Sequence, residues 1–458
     1  MLEQFEFEFP GLVCLMTTLT NGVTSGFRDS AFTRNRELPV HRWVPWIAGF
    51  SSQFVDDCLS KYLKEVVPHS AWILDPFAGV GTTLIESYIH GFNVLGFEIN
   101  PYAALASNAK LQAAETEPNT LQAQIVRFKS FMDRRLTSHN GHPKSLPPIG
   151  FSGRTELFAP SVERQVLFAL DYIKAIEAPA IRDLFRLALG SVMVSFSNYS
   201  YEPSLTRRSA VDKDPITEAD VSLALRKKLN LMVQDIKWLR EQMGKVENKP
   251  QSKVHPDSFF LAPEKLKQEA FIDLLVTSPP YLNNYHYPRN TRPQLHWLGF
   301  TSGPGYKGAK ESESFGTFWQ TVREKEPVKL SFLLPQLAAV MAEIRKRNTD
   351  KGSYGGPGWA NYVATYFNDA YRFWKIAASL LKPDAVAVIV LGNSIIQGVE
   401  VKTDYFFGKI AEQCGLKFED TIRLRDKRTG TSIIQSSVRV DKAEVKTVLY
   451  ESAIVIRK

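Results

Sequence analysis

The 458-residue sequence predicts an α/β protein, a mostly parallel sheet interrupted by a largely helical insertion. Three observations predict it. The apolar run Ala71-Trp72-Ile73-Leu74 passes through a glycine turn into the helical pattern Leu84-Ile85-Glu86-Ser87 and on to a second apolar run, Gly91 to Phe97. That is the strand, helix, strand unit from which parallel pairs are built. A further apolar run, Phe271 to Val276, stops at two prolines, and another, Ala385 to Leu391, follows a helical stretch from Tyr362 to Leu381. The interval 115–250 is helical in pattern and separates the two groups of strands.

Residues 1–36 hold Thr and Gly clusters with little periodicity and are expected to form an N-terminal arm. Residues 37–114 read helix, strand, turn, helix, strand, helix, the last from Ala103 to Ala113. In the insertion, Thr217-Glu218-Ala219-Asp220 has the form of a capping box, and Leu225, Leu229, Met232, Ile236, Leu239 and Met243 follow at the spacing of a packed helical face. Ser195 to Tyr201 with Arg207-Arg208 is expected to be a loop rich in aromatic and basic residues. Residues 251–458 resume the sheet, with loops expected at Ser302–Gly316 and Lys351–Trp359 from their Gly, Ser and Pro content. The end alternates helix Asp404–Cys414, strand Lys417–Leu424 and strand Ser452–Arg457.

Two turns carry the chemistry. In Asp75-Pro76-Phe77-Ala78-Gly79-Val80-Gly81-Thr82-Thr83, Gly79 and Gly81 permit positive φ and close approach of backbone to a ligand. Glu98 ends the next strand, where a carboxylate is placed to accept both hydroxyls of a ribose. A triphosphate loop would need Lys where Thr82 stands, and a dinucleotide loop would need a third Gly where Leu84 stands. An adenosine-like ligand without a pyrophosphate remains, and S-adenosylmethionine fits that description. In the second turn, Thr277-Ser278-Pro279-Pro280-Tyr281, the prolines stiffen the chain and leave carbonyls free. With the Ser278 hydroxyl and the Tyr281 ring they suit a planar base that carries an amino group.

These two turns resemble the cofactor and catalytic motifs of the DNA amino-methyltransferases, enzymes that methylate cytosine N4 or adenine N6. His41 to Trp46 and Phe50 to Val55 are similar to the segment that in this family packs on the methionine end of the cofactor, and His255-Pro256-Asp257-Ser258 resembles its acidic turn, with Pro256 where Gly is commoner. The resemblance spans residues near 40–102 and 252–458. It implies a Rossmann-like methyltransferase sheet with an antiparallel edge strand, the catalytic domain being 37–114 plus 251–458 and the insertion 115–250 reading the target sequence.

The resemblance also implies S-adenosylmethionine as cofactor, held by Trp43, Ser51, Phe54, Asp75, Pro76, Phe77, Gly79, Gly81, Thr82, Thr83, Glu98, Ile99, Asp257, Ser258 and Thr277, with Ser278, Pro279, Pro280 and Tyr281 as the catalytic set. Ser before Pro-Pro-Tyr is commoner in the cytosine N4 enzymes of the family, which makes cytosine N4 of a flipped-out base in double-stranded DNA the expected target. Adenine N6 is the alternative; an RNA amino-methyltransferase and a non-catalytic DNA-binding protein on the same scaffold are more distant ones. Arg207, Arg208, Asn283, Arg289, Arg292, Arg423, Arg425 and Arg428 are the candidate DNA contacts. The family's companion in a restriction-modification system would be a cognate restriction endonuclease.

Composition agrees. The formal net charge of +8 favours a polyanionic partner. Cys14, Cys58 and Cys414 lie far apart without a CxxC, so neither a disulfide framework nor a zinc site is implied, and no Pro-Cys pair suggests cytosine C5 chemistry. The amino terminus lacks a basic n-region and no apolar stretch is long enough to span a bilayer, so a cytoplasmic protein is expected.

Overall fold

The computed structural model describes residues 27–28, 35–46, 49–137, 141–149, 156–202, 204–246, 248–283, 287–301, 313–427 and 448–458. Most of the expected arm, His286 beside the catalytic turn, most of Ser302–Gly316 and Arg428 lie outside the described residues.

The chain as far as residue 255 supplies strands β1 (Trp72–Asp75) and β2 (Asn93–Phe97), a hairpin of β3 (Tyr199–Tyr201) and β4 (Leu205–Arg207), and β5 (Ser252–His255). The remainder supplies β6 (Ile272–Thr277), β7 (Leu381–Leu391), the short pair β8 (Ser394–Ile396) and β9 (Val399–Val401), then β10 (Lys417–Lys427) and β11 (Leu449–Arg457). Seven of them form one sheet in the order β10-β11-β7-β6-β1-β2-β5. Pairings from β7 through β6, β1 and β2 to β5 are parallel, and β11 runs antiparallel to both β7 and β10. The expected antiparallel edge is therefore a pair, with β11 reversed one position in and β10 paired to it outside.

Burial alternates along the strands as a doubly covered sheet requires. Ile73, Val94, Leu274 and Val388 join one hydrophobic cluster, whereas Leu74, Leu95, Leu275 and Ile389 join the other. Helices α1 (Ser52–Tyr62), α2 (Thr82–Ile89) and α3 (Pro101–Gln112) contribute to the first face. So do the insertion helices α4 (Pro118–Thr137), α5 (Pro160–Lys174), α6 (Pro179–Val192) and α7 (Val221–Met243). Helices Gly356–Leu380 and Thr403–Gln413 cover the second. The α7 stripe is an interior face: Leu225, Leu229, Met232, Ile236 and Leu239 are wholly buried. None of the helices among the described residues is long and apolar enough to cross a membrane.

Three local expectations change. The α7 cap is Asp220, whose carboxylate accepts from Leu223 N, because Thr217 lies in the extended approach, where its carbonyl takes the Ser161 hydroxyl. The expected loop at Ser195–Arg208 contains the β3–β4 hairpin. The expected loop at Lys351–Trp359 already contains the start of the long helix, since Pro357 suits a first turn and a Cβ at Gly356 would lie 1.9 Å from the Ile344 carbonyl.

Candidate active site

The two motifs meet at the carboxyl ends of β1 and β6, neighbours in the sheet. Asp75 is buried, and its Oδ1 accepts from Phe77 N at 3.1 Å and from the Thr277 hydroxyl at 2.5 Å. Thr83 Oγ1 donates to the Val276 carbonyl at 3.2 Å. Burial pushes the Asp75 pKa up to about 6 against the bonds from Thr277 and Phe77.

The glycine loop is held from three sides. Gly79 and Gly81 both have positive φ, 51° and 84°. At Gly81 the close approach is to α3, since an added Cβ would lie 3.0 Å from Ser107 Oγ. Behind the loop, Ser107 Oγ donates to the Gly79 carbonyl and the buried Lys110 Nζ donates to the Val80 carbonyl, each at 2.8 Å. Burial, with Lys228 adding repulsion, lowers the Lys110 pKa to about 7. In front, Glu98 Oε2 accepts from Gly79 N and Oε1 from Asn100 N, each at 2.7 Å. Burial outweighs those two bonds and raises the Glu98 pKa to about 7.

Glu98 N donates to the His255 carbonyl, so the chain leaving β2 at Glu98 runs beside the end of β5, two residues before Asp257. Asp257 pairs with Lys265 at 3.0 Å, and Ser258 Oγ donates to the Glu313 carbonyl. Phe77 stacks on Phe373 and meets Phe315 edge-on, so 313–315 close this side, a contribution that the Gly- and Ser-rich sequence around them conceals. Pro76, Thr82 and Thr83 are buried and Ile99 is partly buried.

Trp43, Ser51 and Phe54 are placed differently. Trp43 is fully buried with its indole N–H on Asp235, Ser51 caps α1 by accepting from Phe54 N, and Phe54 packs against Phe27 and Phe50. Asp235 pulls this segment inward, taking Val40 N and two Arg42 donors as well. Among the described residues Trp46 is the aromatic nearest a Gly79 side-chain position, its Nε1 lying 3.4 Å from where a Cβ would stand.

At the Thr277–Tyr281 turn, Tyr366 from the long helix donates to the Pro280 carbonyl at 3.0 Å, and the Tyr281 hydroxyl donates to Glu451 Oε1 on β11 at 3.0 Å. Among the described residues none bonds to Ser278 Oγ or to the Pro279 carbonyl.

Relatives align with most of this architecture. Type II methyltransferase M.BsoBI of Geobacillus stearothermophilus is 22% identical over 431 residues, covering 88% of this chain and 83% of that protein. Type II methyltransferase M.AvaI of Nostoc sp. is 21% identical over 416 residues, 86% of this chain and 82% of its own length. Type II methyltransferase M.MvaI of Kocuria varians is 28% identical over 281 residues, 58% and 59%. The chain belongs to the DNA methyltransferase family. No protein-family model matches it.

In this DNA methyltransferase the basic candidates divide. Asn283, Arg289 and Arg292 follow the catalytic turn directly, Arg289 being exposed. Arg207 and Arg208 lie at the end of the hairpin, which is tied to that same segment because Leu205 N donates to Asn290 Oδ1 and the Tyr201 hydroxyl to the Asn290 carbonyl. Arg423 pairs with Asp426 at 2.6 Å over the Tyr450 ring, and Arg425 pairs with Glu451 at 2.5 Å.

Proposed function

We propose that the protein is a site-specific, S-adenosylmethionine-dependent methyltransferase acting on cytosine N4 of a base flipped out of duplex DNA. The donor set supports the cofactor. Glu98 and Asp257 follow the ends of two adjacent paired strands, and the glycine loop carries no basic side chain, which suits hydroxyls, an amino group and a cationic sulfonium better than phosphates. Glu98 would hold the ribose, Asp257 the adenine amino group, and Asp75 with the 78–81 loop the remainder. When bound, S-adenosylmethionine supplies an electrophilic methyl group.

One observation carries the acceptor reading. Ser278 Oγ and the Pro279 carbonyl stand unengaged among the described residues at the end of β6, while the neighbouring Pro280 carbonyl is occupied by Tyr366. An exocyclic amine conjugates its lone pair with the ring and is a poor nucleophile. Accepting its two N–H bonds on Ser278 and Pro279 directs the lone pair outward and favours pyramidal nitrogen. Tyr281 stacks on the extruded base, and the proton leaves through Ser278 or water. Ser278 in place of Asp favours cytosine. The test is sequencing that separates N4-methylcytosine from N6-methyladenine in DNA of cells expressing the protein. N4-methylcytosine at one short motif is the expected result, and N6-methyladenine there would reassign the base.

A further inference from the structure

We infer that Glu451 is a positioning residue for Tyr281, fixing the ring of the acceptor turn through its hydroxyl from across the sheet. The inference rests on reading Thr277–Tyr281 as the methyl-acceptor turn. Glu451 lies on β11, separated from β6 by β7, and is only 6% exposed. Its two oxygens have separate tasks: Oε1 accepts from the Tyr281 hydroxyl at 3.0 Å and Oε2 accepts from Arg425 Nε at 2.5 Å. A carboxylate bonded at both oxygens cannot rotate freely, and the guanidinium offsets the cost of keeping its charge out of water. The strands come close enough because Gly392, just past β7, lies against the Tyr450 carbonyl, where a Cβ would stand at 1.9 Å.

Among the described residues the turn thus has two handles from different elements. Tyr366 holds the backbone at Pro280 and Glu451 holds the tip of the next side chain. Between them the ring is set before a base arrives, so stacking costs little further ordering. Arg425 serves this pair, which gives a buried-side role to a residue that its sequence context groups with phosphate contacts. Among the described residues Glu451 reaches the turn through Tyr281, and the role proposed for it is positioning rather than catalysis.

The test compares full-length wild type, Tyr281→Phe, Glu451→Gln and the double variant on duplex DNA carrying the methylated motif. It reads kcat, KM for S-adenosylmethionine, and the emission of 2-aminopurine at the target position. Each single variant is expected to lower kcat roughly ten- to hundredfold and to reduce the emission, with KM for the cofactor unchanged. The double variant should be no slower than the slower single one. Multiplied losses, or a wild-type kcat for Tyr281→Phe, would overturn the proposal. Should Glu451→Gln fail to fold, Tyr281→Phe decides alone, because it leaves the Glu451 to Arg425 pair in place. If wild type transfers no methyl group to DNA, the base-methylation reading fails instead. The melting temperatures of the four proteins then judge the contact, additive shifts counting against it and sub-additive shifts for it.

Discussion

The Thr277 hydroxyl donates to Asp75 Oδ1 at 2.5 Å, both side chains buried, and so joins the end of β6 to the start of the glycine loop. A valine at 277 would keep the shape and leave the carboxylate without its hydroxyl partner. Thr277→Val should cost about 1–3 kcal/mol in urea unfolding. It should also weaken S-adenosylmethionine binding, because the loop loses its anchor. Unchanged stability would remove this bond from the account.

Glu98→Ala is expected to weaken S-adenosylmethionine binding in calorimetry by removing the acceptor assigned to the ribose. Equal affinity would sink that assignment.

Protonation of Glu98 gives a pH signature to the cofactor-free protein. Its folded pKa of about 7 lies above the ordinary glutamate value of 4.5, so the folded state retains a proton that the unfolded state has released. Stability from this group therefore falls as pH rises from about 4.5 through about 7, then levels off. Asp75, raised from 3.8 to about 6, acts in the same sense over a lower window. Thermal unfolding of Glu98→Gln should lose less stability than wild type between those limits. Parallel curves for the two proteins would contradict the shift.

Ser278→Ala and Tyr281→Ala are expected to suppress methyl transfer from labelled S-adenosylmethionine to duplex DNA while leaving cofactor affinity nearly unchanged. Transfer to tRNA with none to DNA would overturn the substrate.

Asp235 gathers Val40 N, Arg42 and the Trp43 indole onto one buried carboxylate. Asp235→Ala strands those donors and should cost about 3–5 kcal/mol in chemical denaturation. A loss below about 1 kcal/mol, the range of an exposed pair, would show that the segment does not depend on it.

The strands and both motif turns were legible because their signals are local. Alternating or continuous apolar runs mark strands, Gly79 and Gly81 mark a turn with positive φ, and Pro279-Pro280 marks a stiff end. The site beyond those turns was only partly legible. Trp43 and Trp46 are three residues apart in one aromatic segment, and nothing local separates the one drawn inward by Asp235 from the one beside Gly79. Lys110 and Ser107 look like ordinary polar positions of a helix, although both bond to carbonyls of the glycine loop.

The sequence alone determined the sheet-forming runs and the order of the two motif turns along the chain, since each of these signals lies in residues within a few positions of one another. Only the tertiary structure decided which side chains hold those residues in place. Asp75 and Thr277 are 202 positions apart and Tyr281 and Glu451 170, and such pairs meet because parallel crossovers and the reversed β11 bring distant strand ends to one edge. No local pattern encodes that meeting. It follows from burying both faces of one sheet, a property of the whole chain.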